Sequence, residues 1–251
     1  MTLKSKQPTD KDENIRAIIL AGGKGTRLMP FSVNFPKPLV PLDDTPIIEV
    51  LMRRLIRCGI TDITITLGHL AELVKAYFDH RRSLVDQITL RFVEEEEPTG
   101  TAGSLALVPG LDHTFLVMNG DLLTNIDFRA LVRFHHEHEA ALTIASNARH
   151  VKVDLGLIEF DSKFQITNYI EKPENVYQVS MGIYVYEPRV LNYIQRGQYL
   201  DLPELVLHLI ERGEKVCACP SDALWLDIGR PDDYARAQDL FSKKRGDFDL
   251  V

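Results

Sequence analysis

Cysteine is scarce in this chain of 251 residues, with three, Cys58, Cys217 and Cys219. The last two form a C-x-C pair with no second pair and no histidine at zinc-ligand spacing. That speaks against a disulfide framework and a structural metal, and a reducing cytoplasm is the expected setting. Long apolar runs are missing as well: none approaches the roughly 20 residues that cross a bilayer. Met1 to Asn14 is polar and charged and lacks the apolar core of a signal peptide, so residues 1–14 read as a mobile tail. There is no basic excess. Lys and Arg number 29 against 36 Asp and Glu, a formal net charge of −7, which argues against binding nucleic acid or an anionic membrane through a broad basic face. Cations that hold phosphate must therefore be gathered locally. Internal repeats and low-complexity segments are absent too.

What is present is an alternation of short apolar runs with amphipathic stretches from Arg16 onward, the pattern of an α/β layer fold. Ala17 to Leu20 reads as a buried first strand. Thr45-Pro46 reads as an N-cap and first helical position, after which Ile47, Ile48, Leu51, Leu55 and Ile56 share one face until Gly59. Strands at Ile63–Leu67, Ile88–Val93 and Phe115–Met118 alternate with helices near Ala71–Phe78 and after Gly100, implying a parallel sheet covered by helices. Beyond a helix at Asp127–Glu139, strands at Leu142–Ala145, Gly156–Phe160, Gln165–Ile170 and Ser180–Tyr186 follow with little helix between them, which suggests an antiparallel lobe. Leu205–Arg212 and Asp232–Lys243 read as closing helices.

Directly after the first strand stands Ala21-Gly22-Gly23-Lys24-Gly25-Thr26-Arg27, whose glycines allow a tight turn that brings backbone N–H groups close to an anion. A Walker A loop would need Gly-Lys-Ser/Thr after a longer spacing, and the dinucleotide fingerprint a third glycine where Leu28 stands. Pro30, Pro36, Pro38 and Pro41 prevent an immediate helix. Arg27 and then Lys37, a fork and a point charge, suit a triphosphate.

The run LAGGKGTRLMPFSVNFPKPLVPL, Leu20 to Leu42, resembles the signature of the NDP-sugar pyrophosphorylases, the sugar-1-phosphate nucleotidylyltransferases. The similarity continues through Glu97-Pro98-Thr99-Gly100-Thr101-Ala102, Asn119-Gly120-Asp121, Glu171-Lys172-Pro173 and Trp225-Leu226-Asp227-Ile228-Gly229, to near Phe241. The resemblance implies a Rossmann-like, mostly parallel mixed sheet with helices on both faces and a small antiparallel sugar-binding lobe. It implies one catalytic domain over residues 15–245, with the nucleotide part at about 15–125 and the sugar part at about 140–229, and no C-terminal β-helix.

By the same resemblance, Leu20, Ala21, Gly22, Gly23, Gly25, Thr26, Glu95, Gly100 and Thr101 hold the nucleotide. Asp121 and Asp227 hold Mg²⁺, which suits a cation that takes one or two carboxylates and fills its shell with phosphate oxygens and water; either aspartate taken alone also fits a turn or cap. Lys172 meets the sugar 1-phosphate, Glu171 the sugar hydroxyls, and Gly156 the sugar by close backbone approach. Pro173 is expected to hold Lys172 extended. Ser180-Met181-Gly182 departs from the Asn-Ala-Gly of many relatives, so the hexose contacts of Ser180 are expected to differ. Arg27, Lys37 and Lys172 would carry catalysis by positioning and charge neutralisation.

Glu95 can accept from the adjacent N1–H and N2–H₂ of guanine, which favours GTP; a uridylyl enzyme stays open. The short form is similar to mannose 1-phosphate and heptose 1-phosphate guanylyltransferases, so mannose 1-phosphate is the first-choice acceptor. A non-sugar phosphate acceptor and a non-catalytic regulatory subunit are the alternatives of other kinds, and homo-oligomerisation is left open. His135 and His138 could share a metal at i, i+3 or lie on a solvated helix face, the expected case; His69 reads as a pocket-lining residue.

Overall fold

The computed structural model describes residues 15–23, 25–28 and 35–248. The seven strands of the main sheet are β1 (Arg16–Ala21), β2 (Asp62–Leu67), β3 (Thr89–Glu94), β4 (Phe115–Asn119), β5 (Leu142–Lys152), β6 (Glu174–Tyr186) and β7 (Val216–Pro220). Their spatial order is β7-β5-β6-β4-β1-β2-β3. β1 pairs in parallel with both β2 and β4, β2 with β3 and β5 with β7, whereas β6 runs antiparallel between β4 and β5. The mostly parallel mixed sheet is thus confirmed.

Consecutive residues of β1 explain the layering. Ala17, Ile18 and Ile19 are all fully buried, because successive side chains point to opposite faces and helices cover both. Ala17 and Ile19 enter one core with Ile48, Leu51, Leu55, Val74, Phe78, Leu131 and Val132 from the helices Ile47–Arg57, Ala71–Asp79 and Phe128–Glu137. Ile18 enters another with Ala102, Leu105, Leu202, Leu205 and Leu209. A third core, with Leu28, Val40, Leu123, Ile228 and Phe241, seats the closing helix Pro231–Lys244. It places the short strand Trp225–Asp227 antiparallel to Leu122–Thr124, with Asp227 opposite Leu122.

The antiparallel lobe grows from long strands. β5 and β6 pair inside the sheet at Leu142–Ile144 and Tyr184–Tyr186, then continue outward as a two-stranded ribbon from Ser146↔Ser180 to Lys152↔Glu174. Between those two stretches the register shifts around Gly182, whose φ is +71°. A side chain there would stand 2.7 Å from Asn119 Nδ2, so the bulge requires glycine. The hairpin Leu157–Phe160/Ile166–Ile170 completes the lobe.

Several local expectations are corrected. Thr45 is not an N-cap: its hydroxyl donates to Asp44 Oδ1 at 2.9 Å, Thr45-Pro46 pairs with Pro41-Leu42, and the helix begins at Ile47. Lys172 is not extended but has φ +44°, because the chain must bend between Ile170 and the ribbon strand. His135 is not on a solvated face; it is fully buried, bonded to Thr143 Oγ1 at 2.8 Å and to Glu187 Oε1 at 3.2 Å. Cys217 and Cys219 lie half-buried in β7, a strand that its closing proline concealed and that its edge position tolerates. Among the described residues no helix is long and apolar enough to cross a membrane.

Candidate active site

Strand order changes direction at β1: β2 and β3 lie to one side and β4 to the other. In open α/β sheets ligands gather at such a switch point, outside the carboxyl ends of the strands. A cleft of about 710 Å³ opens there. Leu20, Ala21, Gly22, Gly23, Gly25, Thr26, Arg27, Lys37, Glu95, Gly100, Thr101 and Asp121 all line it, as does His69.

Backbone proximity shapes the cleft around the glycine turn. Gly68, at the end of β2, approaches Gly22 so closely that a Cβ would lie 2.5 Å from Gly22 O. On Gly22 a Cβ would strike the Glu95 carboxylate. Gly120 N donates to Leu20 O at 2.9 Å, which ties the Asn119-Gly120-Asp121 turn to the end of β1. Leu28, fully buried, anchors the 3₁₀ turn Thr26–Leu28, and this leaves Arg27 exposed at the cleft.

Lys37 follows from a second 3₁₀ turn, Lys37–Leu39, entered through Pro36. Its ammonium forms an ion pair with Asp121 Oδ2, and the two side chains keep only 11% and 19% of their exposure. Asp121 Oδ1 is buried with no hydrogen-bond partner. An ionised oxygen in that state is costly unless a cation completes it.

Asp227 supplies a second carboxylate. Ile228 N donates to Asp121 O at 3.0 Å, holding the two segments side by side. Partial burial and the negative charge of Asp121 raise the Asp227 pKa, while Lys37 and Arg27 oppose the rise. Two carboxylates in each other's field, one with an orphaned oxygen, fit a hard divalent ion that draws its remaining ligands from phosphate and water. Among the described residues no group of three or more His, Cys, Asp or Glu could hold a metal ion; His135 is engaged by Thr143 and Glu187, and His138 Nδ1 lies 2.8 Å from Phe134 O.

The wall of the cleft is also acidic in part. Glu95, Glu96, Glu97 and Asp201 line it with Pro98, Gly100, Thr101, Ser104 and Tyr199. Glu95 Oε2 accepts from Thr99 N at 3.1 Å and Thr99 Oγ1 at 2.7 Å; one carboxylate oxygen is thus committed to shaping the turn. Gly100 has φ +81°, and a Cβ on it would lie 2.5 Å from Leu200 O.

The sugar-side residues are less gathered. Gly156, Glu171, Lys172 and Ser180 are not among the cleft's lining residues. The close neighbour of Gly156 is the Tyr169 phenol, whose hydroxyl donates to Glu171 at 3.3 Å. The Ser180 hydroxyl meets Tyr184 OH at 3.2 Å. Burial raises the Tyr184 pKa, with Ser180 opposing and Asp227 and Asp121 adding to the rise. Met181 is wholly buried, and Trp225 Nε1 donates to its carbonyl at 2.7 Å.

Gly68, Ser104, Tyr199 and Asp201 also line the cleft and are not singled out by the sequence. Gly68 carried a signal in its place directly after an apolar strand. Tyr199 and Asp201 had none, since they return to the Gly100 turn from about a hundred positions away.

The chain is 33% identical over 241 residues to a UTP--glucose-1-phosphate uridylyltransferase of Synechocystis, covering 89% of the chain and 62% of that protein. It is 30% identical over 228 residues to a mannose-1-phosphate guanylyltransferase of Mycobacterium tuberculosis, covering 88% and 63%. It thus spans less than two thirds of these relatives. The crystal structure of HddC from Yersinia pseudotuberculosis matches with a TM-score of 0.69 at 25% identity, over 90% of this chain and 99% of that one; HddC has also been solved complexed with GMP-PN. Residues 16–244 match the nucleotidyl transferase family, and the chain belongs to it.

Proposed function

We propose that the chain transfers a nucleotidyl group from a nucleoside triphosphate, GTP in preference, to a sugar 1-phosphate, mannose 1-phosphate or a similar one, releasing pyrophosphate. The observation that carries this reading is the makeup of the cleft lining. Arg27, Lys37, a glycine turn and a buried, unpartnered Asp121 oxygen share one cleft with the carboxylates of Glu95, Glu96 and Glu97. The first set suits phosphates and a cation, and the second a base rich in N–H donors.

In the reaction an oxygen of the sugar phosphate attacks the α-phosphorus in line. The bond from that phosphorus to the bridging oxygen of the β-phosphate breaks, and pyrophosphate leaves with the electron pair. No protein nucleophile is required. Gly22, Gly23 and Gly25 let backbone N–H groups approach the triphosphate, and Arg27 with Lys37 neutralises charge developing on the leaving group. Asp121 and Asp227 would hold Mg²⁺, which supplies charge neutralisation on phosphate oxygens. Lys172, with Glu171, Gly156 and Ser180, would meet the sugar phosphate; the hairpin Leu157–Phe160/Ile166–Ile170, which the first three flank, would have to lie against the bound sugar. A reducing, cytoplasmic setting suits the three free thiols.

The guanylyltransferase relatives and the glutamates favour GTP, and the uridylyltransferase relative makes UTP the competitor. Pyrophosphate release, measured with each of five nucleoside triphosphates against mannose, glucose, glucosamine and heptose 1-phosphates, decides. Release with GTP and mannose 1-phosphate, abolished by Asp121→Ala, is the expected result. Silence with every pair, in protein that still binds nucleotide, would overturn the transferase reading in favour of a regulatory role or a non-sugar acceptor.

A further inference from the structure

Tyr199 is a large aromatic residue left 62% exposed at the rim of the cleft. The backbone around it is nonetheless firmly held. Leu200 N donates to Thr99 O at 2.9 Å, and Leu200 O accepts from Ala102 N and Gly103 N, each at 3.0 Å. Asp201 Oδ1 accepts from Thr101 N at 3.1 Å and from Thr101 Oγ1 at 3.2 Å, and Leu202 N donates to Thr101 Oγ1 at 2.9 Å. The Gly100 turn and the helix Leu202–Glu211 thus cap each other.

The ring itself is fixed at its polar end. Tyr199 OH donates to Asp201 Oδ2 at 2.7 Å, and that bond raises the phenol pKa, so the proton stays in place. No ring or cation among the described residues stacks on the Tyr199 face. An aromatic plane that is anchored by its hydroxyl, set on a rigid clasp and bare on its face is a stacking platform. Four residues beyond Gly100 a second group points the same way. Ser104 lines the cleft, is 1% exposed, and its hydroxyl is buried without a partner. A buried hydroxyl of that kind calls for a polar ligand.

We propose that Tyr199 and Ser104 form the seat of the nucleobase, with the Tyr199 ring as a stacking face and the Ser104 hydroxyl as a hydrogen-bonding group within the seat. Asp201 is a positioning residue that holds the ring and the Gly100 turn together. The inference rests on the nucleotide reading of the cleft and adds to it the residues that sense the base. A purine offers the ring more overlap than a pyrimidine, so Tyr199 contributes to a preference for GTP over UTP, while Glu95 is partly occupied by Thr99.

The test is calorimetric titration of the full chain, in the presence of Mg²⁺, with GTP, UTP and inorganic tripolyphosphate, which has the charge but no base. Tyr199→Ala is expected to weaken GTP about 5- to 100-fold, to weaken UTP less, and to leave tripolyphosphate unchanged. Tyr199→Trp, which keeps a stacking face, should retain GTP binding. Ser104→Ala should weaken GTP and leave tripolyphosphate alone. Equal losses for GTP and tripolyphosphate would overturn the seat and make Tyr199 a merely structural residue. Unchanged GTP affinity in Tyr199→Ala would also overturn it, with the nucleotide reading intact. A wild-type chain that binds tripolyphosphate but no triphosphate nucleotide would instead remove the nucleotide reading itself.

Discussion

Asp227, proposed as a magnesium ligand, sets a cost in stability against that role. Its carboxylate is pushed toward the neutral form first by burial and then by Asp121, against the pull of Lys37 and Arg27. A carboxyl whose pKa is raised in the folded state penalises folding above that pKa, and the penalty fades as pH falls through it. Asp227→Asn is therefore expected to raise the thermal midpoint at pH 7 slightly, by about 1 °C, because solvent screens much of the repulsion. The same variant should lose about 10²-fold or more in kcat for pyrophosphate release, the scale of removing one preorganised electrostatic group. A lower midpoint with full activity would contradict both halves of the argument. The glycine turn and Asp121, which line the cleft, were legible in the sequence because they stand in short contiguous motifs directly after buried strands. Glu49 was not: it lies on the apolar face of its helix, 1% exposed, paired with Arg53 on the same helix and with Arg81 and the Tyr77 hydroxyl, and no local pattern marks a carboxylate two of whose partners come from about thirty residues away.

At the scale of elements, the helix Phe128–Glu137 is capped by Asp127, whose side chain accepts from Ala130 N at 3.0 Å, and it carries His135 inward. Periodicity located this helix but placed His135 on a solvent face, because a histidine is polar in composition whether or not a threonine and a glutamate wait to satisfy it. Burial, opposed by Glu187, lowers its pKa to about 4. The unfolded chain binds that proton near pH 6.5, so stability is complete above about 6.5 and is lost as pH falls toward about 4. At pH 5 the loss is about 2 kcal/mol. Denaturant unfolding from pH 7.5 to 5 should show this decline in the wild type and a flatter profile in His135→Gln, which keeps a polar side chain but not the titration. Equal slopes in the two proteins would assign the acid sensitivity elsewhere.

The molecule as a whole joins parts that are far apart in the chain. β1 and β4 supply the switch point, the helix Leu202–Glu211 clasps the Gly100 turn, and the helix Pro231–Lys244 brings Asp227 beside Asp121. Alternating strands and helices made the sheet legible in the sequence. The antiparallel insertion of β6 between β4 and β5, and the return of Tyr199 to the cleft, were not, because both are pairings between distant segments that local propensity does not encode. This architecture makes the placing of Asp227 beside Asp121 depend on the closing helix. Phe241, fully buried, packs with Leu28, Leu123 and Ile228 in the third core, so Phe241→Ala is expected to cost about 3–5 kcal/mol. The Trp225–Asp227 strand pairs only over three residues, and loosening its support should release it before the main sheet opens. In urea, Phe241→Ala should lose pyrophosphate release at a lower concentration than it loses secondary structure, with the two transitions nearly coincident in the wild type. Coincident transitions in the variant would mean that the closing helix and the sheet unfold as one unit, and that Asp227 is held by more than this core.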